Sequence, residues 1–463
     1  MVSLTPNPSY SLTLRIKLPN RVSRLSAVID AIAQAEGNLG NIDVVEKTRD
    51  YIVRDISVDA SSTEAAANIE AAVRALDTVE VQSVQDRTFA LHQGGKLRVE
   101  AKVPLREQDD LAMAYTPGVG RVCVEIAKHP ERVYDLTIKG NTVAIVSDGS
   151  AVLGLGNLGA AGSMPVMEGK AMLFKEFAGL DAFPICLDTQ DTEEIIETVK
   201  RIAPVFGAVN LEDISAPRCF EIERRLQADL DIPIFHDDQH GTAIVSLAAL
   251  TNSLKVVGKQ MGEIKLVING AGAAGLAMAR LFKKAGVTQL IICDSKGIIS
   301  TDRTNLTEAK KEFAIAESGD LADAMKGADV FMGVSAPGVV SVDMVKAMAD
   351  KPIVFAMANP IPEIQPELLE GIAAVMATGR SDYPNQINNV LAFPGVIRGA
   401  VDCRAQEITV DMFLAAGNAI ASLIPDAELS ADNIMPSVFD KRVAPAVSAA
   451  VQNVARSAGI AKK

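Results

Sequence analysis

The stretch IKLVINGAGAAGLAMARLFKKAGVTQLIICD, Ile264 to Asp294, sets the class of fold. IKLVIN is a short apolar run that ends at a glycine, LAMARLFKKAG has helical spacing, and TQLIICD is a second apolar run that closes on an acid. Two near-continuous apolar strands joined by a helix predict a parallel, doubly wound sheet. GAGAAG, Gly270 to Gly275, occupies the strand-to-helix turn. There Gly270 permits the turn, Gly272 lets the backbone approach a pyrophosphate, and Gly275 lets the helix pack on the strand, with Ala273 and Ala274 opening the helix whose N-terminus faces the phosphates. Asp294 lies 19 residues after Gly275, where an acid accepts hydrogen bonds from ribose hydroxyls.

A second copy of the glycine spacing, GLGNLG at Gly154 to Gly159, fails the same test. GSAVLG, reading from Gly149, separates strand TVAIVSD from the motif's second glycine, and AAGSMPVMEGK behind it holds glycine and proline, which argues against one clean helix. These glycines are expected to let the backbone pack beside a catalytic segment.

Upstream and downstream, apolar runs alternate with helices: TVAIVSD, AFPICLD, FGAVNLED, IPIFHDD, ADVFMGVSA, PIVFAMANP and IAAVMATG each end in a polar or glycine-containing turn. Ligand chemistry in such sheets gathers at the carboxyl ends of the strands. The 463 residues predict about three domains of roughly 150 residues. A net charge of −13 argues against nucleic acid or an anionic membrane as partner. Five scattered cysteines without CxxC spacing suggest neither disulfides nor structural zinc and point to a reducing cytoplasm. No leader or long apolar span is visible.

The first 90 residues read as βαββαβ: SLTLRIKL alternates, Leu25, Val28, Ile29 and Ile32 follow at helical spacing, NIDVVEKT and YIVRDISVDA form a hairpin, STEAAANIEAAVRAL is a helix opened by Ser62 or Thr63, and VEVQSVQ is the last strand. That order is ferredoxin-like. With PNRV before the first helix and GNLGNIDVV after it, the unit resembles an ACT domain, a regulatory module that pairs and often binds amino acids. Ser23 stands where such domains commonly place a glycine, so the unit serves either a metabolite effector or dimerisation alone.

Two acidic pairs stand out, Glu212 with Asp213 in VNLEDI and Asp237 with Asp238 in FHDDQHGT. Each closes an apolar strand, and the helix CFEIERRLQADL between them predicts parallel neighbouring strands with both pairs on one edge. Clustered carboxylates repel unless protonated or bridged, and an all-oxygen set suits Mg²⁺ or Mn²⁺. The plainer alternative is a helix cap at Asp237 or Asp238 and solvated turn residues at Glu212 and Asp213. His236 and His240 lack a third nitrogen or sulfur ligand nearby and are assigned a structural or supporting role.

AYTPGV (Ala114 to Val119), VSDGSAVLGLGNLG (Val146 to Gly159), PVMEGKAMLFKEFAG (Pro165 to Gly179), VNLEDI, HDDQHGTA, INGAGAAG, MANPIPEI (Met357 to Ile364) and NNVLAFPGVIRGA (Asn388 to Ala400) together resemble, in order, the blocks of malic enzymes. The resemblance runs from about Lys96 to the C-terminus and implies oxidative decarboxylation of L-malate to pyruvate and CO₂ with NAD⁺ or NADP⁺ and a divalent metal. It implies Glu212, Asp213 and Asp238 as metal ligands, Lys170 as general base, Tyr115 as the acid that protonates the enolate, and Asp237 as the carboxylate supporting the relay. Asn359 and Asn389 match residues that contact substrate, Asn359 also on the cofactor side. One departure stands at Ala151, where larger members place an arginine on the malate carboxylate.

The expected organisation is an ACT-like domain at 1–90, a catalytic α/β malic domain at 91–236 completed by 390–463, and a Rossmann-type domain at 237–389. Asp294 favours NAD⁺, because a carboxylate repels the 2′-phosphate of NADP⁺, whereas Lys296 would attract it. Three alternatives stay open: the same reaction with NADP⁺, a metal-independent Rossmann dehydrogenase of another substrate, and a non-catalytic ACT-type sensor. A homodimer or homotetramer is expected.

Overall fold

The computed structural model describes residues 6–152 and 154–463. Backbone contacts divide the chain into two compact units that meet in sequence at Arg98 and Val99.

In the first unit, β1 (Asn7–Pro19) buries Leu12, Leu14, Ile16 and Leu18 on alternate positions, which is the period-2 pattern of a half-covered sheet. β2 (Asn38–Lys47), β3 (Tyr51–Ala60) and β4 (Glu80–Asp86) complete an antiparallel sheet in the order β2-β3-β1-β4. The helices Arg24–Gln34 and Thr63–Arg74 lay Val28, Ile32, Ile69 and Val73 on its buried face. Ser62 caps the second helix by accepting from the Ala65 amide at 3.0 Å. Ser23, before the first helix, has φ 66° and no side-chain cap bond, so a serine holds the left-handed conformation that glycine adopts most easily.

The second unit begins with three short helices, Gln108–Ala114, Val119–Lys128 and Val133–Leu136, none of which buries a side chain. Two parallel sheets follow. β5 (Thr142–Ser147), β6 (Asp181–Cys186), β7 (Ala208–Leu211) and β8 (Ile234–His236) form a four-stranded sheet ordered β6-β5-β7-β8. β9 (Lys265–Asn269), β10 (Gln289–Asp294), β11 (Gly297–Ile298), β12 (Val330–Gly333), β13 (Ile353–Ala356) and β14 (Val375–Thr378) form a six-stranded sheet ordered β11-β10-β9-β12-β13-β14. All its pairings are parallel except β11 on β10. β9 therefore sits where the winding reverses, and Gly270 leaves it into the crevice that binds ligands in such sheets. A Cβ at Gly275 would lie 1.8 Å from the Gly270 carbonyl, so the third glycine of GAGAAG is required by helix-on-strand packing.

The expectation of a broken helix after GLGNLG is corrected. Gly159–Ala178 is one helix of 20 residues with Pro165 inside it. Burial of Met167, Ala171 and Phe174 outweighs the local penalty of proline and glycine. The helix Phe393–Asp402 packs against it, the rings of Phe174 and Phe393 meeting edge to face at 4.8 Å. Asn252, buried on the helix Thr242–Val257, donates to the carbonyls of Ala421 and Ile434, tying the C-terminal helical region to the same core.

Candidate active site

β7 runs into Glu212 and Asp213, and β8 runs into a π-helical turn, Asp237–Gly241. β7 and β8 are parallel neighbours with Leu211 opposite His236, so both acidic pairs leave one sheet edge. Asp213 has φ 55°, a left-handed conformation that aspartate tolerates better than most residues. Its amide donates to Asp238 Oδ2 at 2.9 Å, which locks the two turns together.

Glu212, Asp213 and Asp238 each contribute one carboxylate oxygen to a cluster whose members lie within 4.8 Å of one another. Burial pushes Glu212 well above the usual carboxylate range; Lys170 opposes this, and Asp238, Asp237 and Asp213 add to it. The free energy of such a site falls when a cation enters. Three hard oxygen donors at this spacing fit Mg²⁺ or Mn²⁺.

Lys170 reaches the same place from the helix Gly159–Ala178. Its Nζ lies 2.6 Å from Asp237 Oδ2 and 2.9 Å from Glu212 Oε1, and 4.2 Å from the centre of the Phe393 ring. Burial alone would lower its pKa, but the Asp237 and Glu212 carboxylates outweigh burial and hold it above the ordinary lysine value. Asp237 is fully buried and itself raised, burial prevailing over the opposing Lys170 charge. Asn389 donates its side-chain amide to the same Asp237 oxygen that Lys170 binds. A Cβ at Gly241 would lie 1.9 Å from Asp237 Oδ1, so only glycine fits there.

The structure thus brings together Lys170, Glu212, Asp213, Asp237, Asp238 and Asn389. Tyr115 is not among them. It follows the helix Gln108–Ala114, is 66% exposed, and has no hydrogen bond to that group. Asn359 lies beyond β13, its carbonyl 3.4 Å from where a Cβ on Gly154 would stand, so the GLGNLG loop abuts the strand-end loop that carries it. Ala151 donates its amide to the Asp213 carbonyl at 2.9 Å and brings no charge. Arg218 lies close by, but it pairs with buried Asp148 at 2.8 Å and donates to Ser150 and Ser215.

At the other sheet, Gly272 precedes the helix Ala273–Lys284, which places Ala273, Ala274 and Gly275 in its first turn beside Gly270. Asp294, at the end of β10, is ion-paired with Arg303 and Lys310 at 2.8 and 2.7 Å. Hydrogen bonds from these two cations hold its carboxyl below the usual range in spite of burial.

With this geometry in hand, similarity to known proteins is decisive. Residues 94–227 match the malic enzyme N-terminal domain and residues 239–457 match the malic enzyme NAD-binding domain. The chain belongs to the malic enzyme family. It is 54% identical to the NAD-dependent malic enzyme of Geobacillus stearothermophilus, covering 100% of this chain and 98% of that protein. It is also 54% identical to the bifunctional malic/malolactic enzyme of Bacillus subtilis, over 82% of this chain and 95% of that one. The crystal structure of malic enzyme from Pyrococcus horikoshii superposes with a TM-score of 0.77 at 47% identity, covering 80% of this chain and 88% of that one.

Three buried carboxylates of this malic enzyme escaped the sequence reading. Glu223 accepts from His240 at 2.7 Å and from Gln239 at 3.0 Å, anchoring the far side of the turn that carries Asp237 and Asp238. His240 also stacks on Phe413 at 4.5 Å, and His236 is fully buried 3.7 Å from Asp238; burial lowers its pKa and keeps it neutral. Glu363 accepts from the amides of Ser335 and Ala358, both at 3.0 Å, joining the loops after β12 and β13. Asp148 is the third. The available signal for Glu223 was its place on the inward stripe with Cys219, Ile222 and Leu226, where a charged residue must find a buried partner.

Proposed function

We propose that this chain oxidises L-malate to pyruvate and CO₂ with reduction of NAD⁺, in the presence of Mg²⁺ or Mn²⁺. The observation that carries this reading is the convergence of Lys170 and Asp237 with the Glu212, Asp213 and Asp238 oxygens at one sheet edge. When bound, the divalent cation supplies positive charge against the substrate's hydroxyl and carboxylate oxygens, and the dinucleotide accepts the hydride.

The chain's own residues do the rest. Glu212, Asp213 and Asp238 hold the cation. Lys170 takes the hydroxyl proton at Nζ once the surrounding carboxylates are compensated, because their charge otherwise keeps that nitrogen protonated. Asp237 accepts hydrogen bonds from Lys170 and Asn389 and so fixes the amine's direction. Asn359 and Asn389 serve as neutral donors to malate in place of the arginine absent at Ala151, and Tyr115 returns a proton to C3 of the enolate. Gly270, Gly272, Ala273, Ala274, Gly275, Asp294 and Asn359 form the dinucleotide side. We assign 91–236 with 390–463 to catalysis and 237–389 to the cofactor.

We read the first unit as ACT-like, supported by its β2-β3-β1-β4 sheet, with a metabolite effector or self-pairing as its role. A homo-oligomer is supported by the uncovered Val103, Leu105, Leu111, Met113 and Val124, which the early helices and their approaches present to solvent. No helix among the described residues is long and apolar enough to cross a membrane, and five free cysteines suit the cytoplasm. Initial rates with malate, either dinucleotide and Mn²⁺ or EDTA test the reading. Reduction of dinucleotide that survives complete chelation, or malate left untouched under every combination, would sink it.

A further inference from the structure

We propose that Glu363, fully buried beneath the loops after β12 and β13, carries a negative charge that favours the oxidised nicotinamide over the reduced one, and so biases the chain toward holding NAD⁺ and releasing NADH. The inference rests on the proposed function and deepens its cofactor side. In a doubly wound sheet the dinucleotide crosses the switch point with one mononucleotide on each side. The pyrophosphate belongs to Gly270 at the end of β9 and the adenosine ribose to the β10 side. That leaves the nicotinamide to the β12 and β13 side, where Glu363 lies.

Hydrogen bonds and one close contact fix the carboxylate there. Oε1 accepts from the Ser335 amide at 3.0 Å and, more weakly, from the Ser335 hydroxyl at 3.5 Å, and Oε2 accepts from the Ala358 amide at 3.0 Å. The Ser335 hydroxyl accepts in turn from Asn269 Nδ2 at 2.8 Å, and Asn269 is the residue before Gly270. Ala358 precedes Asn359, assigned above to substrate and cofactor. A Cβ on Gly333, the last residue of β12, would stand 2.3 Å from Glu363 Cδ, so the acid fills the space under that strand end. The charge is thus anchored to the loops of three neighbouring strands, β9, β12 and β13, that wall the nicotinamide side of the crevice.

The partners suit an ionised acid. Both backbone amides are fixed donors, and the Ser335 hydroxyl, which accepts from Asn269, turns its own hydrogen to Glu363. Burial pushes the pKa upward, and the Ala358 and Ser335 amides pull against it. No lysine, arginine or histidine among the described residues forms an ion pair with Glu363, so no cation within the chain cancels its field locally. A fixed charge acts over a long range in a poorly polarisable interior. The oxidised nicotinamide ring bears one positive charge and the reduced ring none, so the same anion attracts the first and leaves the second unaided.

The test reads nucleotide binding by the full chain without malate, in Mn²⁺ so that the Glu212, Asp213 and Asp238 carboxylates are compensated. NADH is titrated by its nicotinamide fluorescence and NAD⁺ by competition against it. Wild type is expected to bind NAD⁺ at least as tightly as NADH. Glu363→Gln keeps the shape and removes the charge, and should tighten NADH relative to NAD⁺ by about tenfold in the ratio of dissociation constants. Glu363→Asp keeps the charge and should leave that ratio within about threefold of wild type. A carboxylate that only ties two loops together gives a different pattern: both constants rise in both variants and the ratio stays put. Thermal melting shows which variants fold. Wild type that holds NADH more tightly than NAD⁺, or a ratio that Glu363→Gln leaves unmoved, overturns the inference and leaves the proposed function standing; if Glu363→Gln does not fold, the wild-type comparison decides. Failure of wild type to bind either nucleotide overturns the proposed function with it.

Discussion

Replacing Lys170 by methionine removes the ammonium and keeps an unbranched side chain. In the wild type that ammonium sits 2.6 Å from Asp237 and 2.9 Å from Glu212, and both carboxylates are buried. Removing one partner of a buried ion pair while leaving the other in place costs about 3–5 kcal/mol, because a charge is stranded in a poorly polarisable site. Two stranded acids put Lys170→Met at the upper end of that range in the metal-free protein, a large fraction of the ~5–15 kcal/mol that holds a typical protein folded. Mn²⁺ should shrink the deficit, since a dication on the carboxylate cluster replaces the compensation at Glu212 but not at Asp237. Turnover should fall by about 10²–10⁴, the contribution of one positioned proton-transfer group. Lys170→Arg separates the two effects: it keeps the charge and most of the metal-free stability, yet stays inactive because a guanidinium does not give up its proton. Urea or thermal unfolding in EDTA and in Mn²⁺, beside initial rates, measures all of this. A methionine variant as stable as wild type in EDTA, or an arginine variant with wild-type turnover, would rule out this role for the Lys170 ammonium.

Mn²⁺ at one hundred times its dissociation constant should stabilise the wild type by about 2.7 kcal/mol, and Asp238→Asn should abolish most of that gain in a melting assay. Glu212 is raised above its unfolded value, so its contribution to stability is fully present below about pH 4.5 and is lost as pH rises through its folded pKa. Metal-free Glu212→Gln should therefore gain on wild type as pH rises above about 4.5, and a constant difference in midpoint would contradict the assignment. Gly241→Ala forces a methyl to within 1.9 Å of Asp237 Oδ1 and should cost about 1–3 kcal/mol together with most of the activity, whereas Gly120→Ala, which meets nothing within 4 Å, should be neutral in both assays.

Much of the fold was legible because its strands advertise themselves twice, as apolar runs and by the turns that end them. TVAIVSD, VNLEDI, IKLVING and QLIICD all appear as strands at the expected places, and the inference that VNLEDI and IPIFHDD are parallel neighbours holds in the β7–β8 ladder. What the sequence hid falls into two physical kinds. The helix Gly159–Ala178 defeated local propensity because its stability comes from Phe174, Met167 and Ala171 in the core, not from its own composition. Asp294 was read correctly as the end of a strand, but its partners lie 9 and 16 residues further on, and no local pattern announces that Arg303 and Lys310 fold back onto it.

The turn after β8 shows how one short stretch serves several demands at once. Successive residues of HDDQHG project to different neighbours: His236 into the core beside Asp238, Asp237 to Lys170 and Asn389, Asp238 to the Asp213 amide, Gln239 and His240 to Glu223. An ordinary α-helical start would place these side chains about 100° apart, and the π-helical widening changes that spacing. Glu223 matters because the opposite side of the turn carries two carboxylates that repel each other and Glu212. Without a fixed point behind it, the turn would relieve that repulsion by moving away from β7, and the oxygens of Asp238 and Asp213 would separate. A buried glutamate whose two partners hold it below the usual carboxylate range against the pull of burial supplies that fixed point. The strain of gathering acids for a cation is thus opposed by another acid, one layer deeper, that accepts a hydrogen bond on each oxygen.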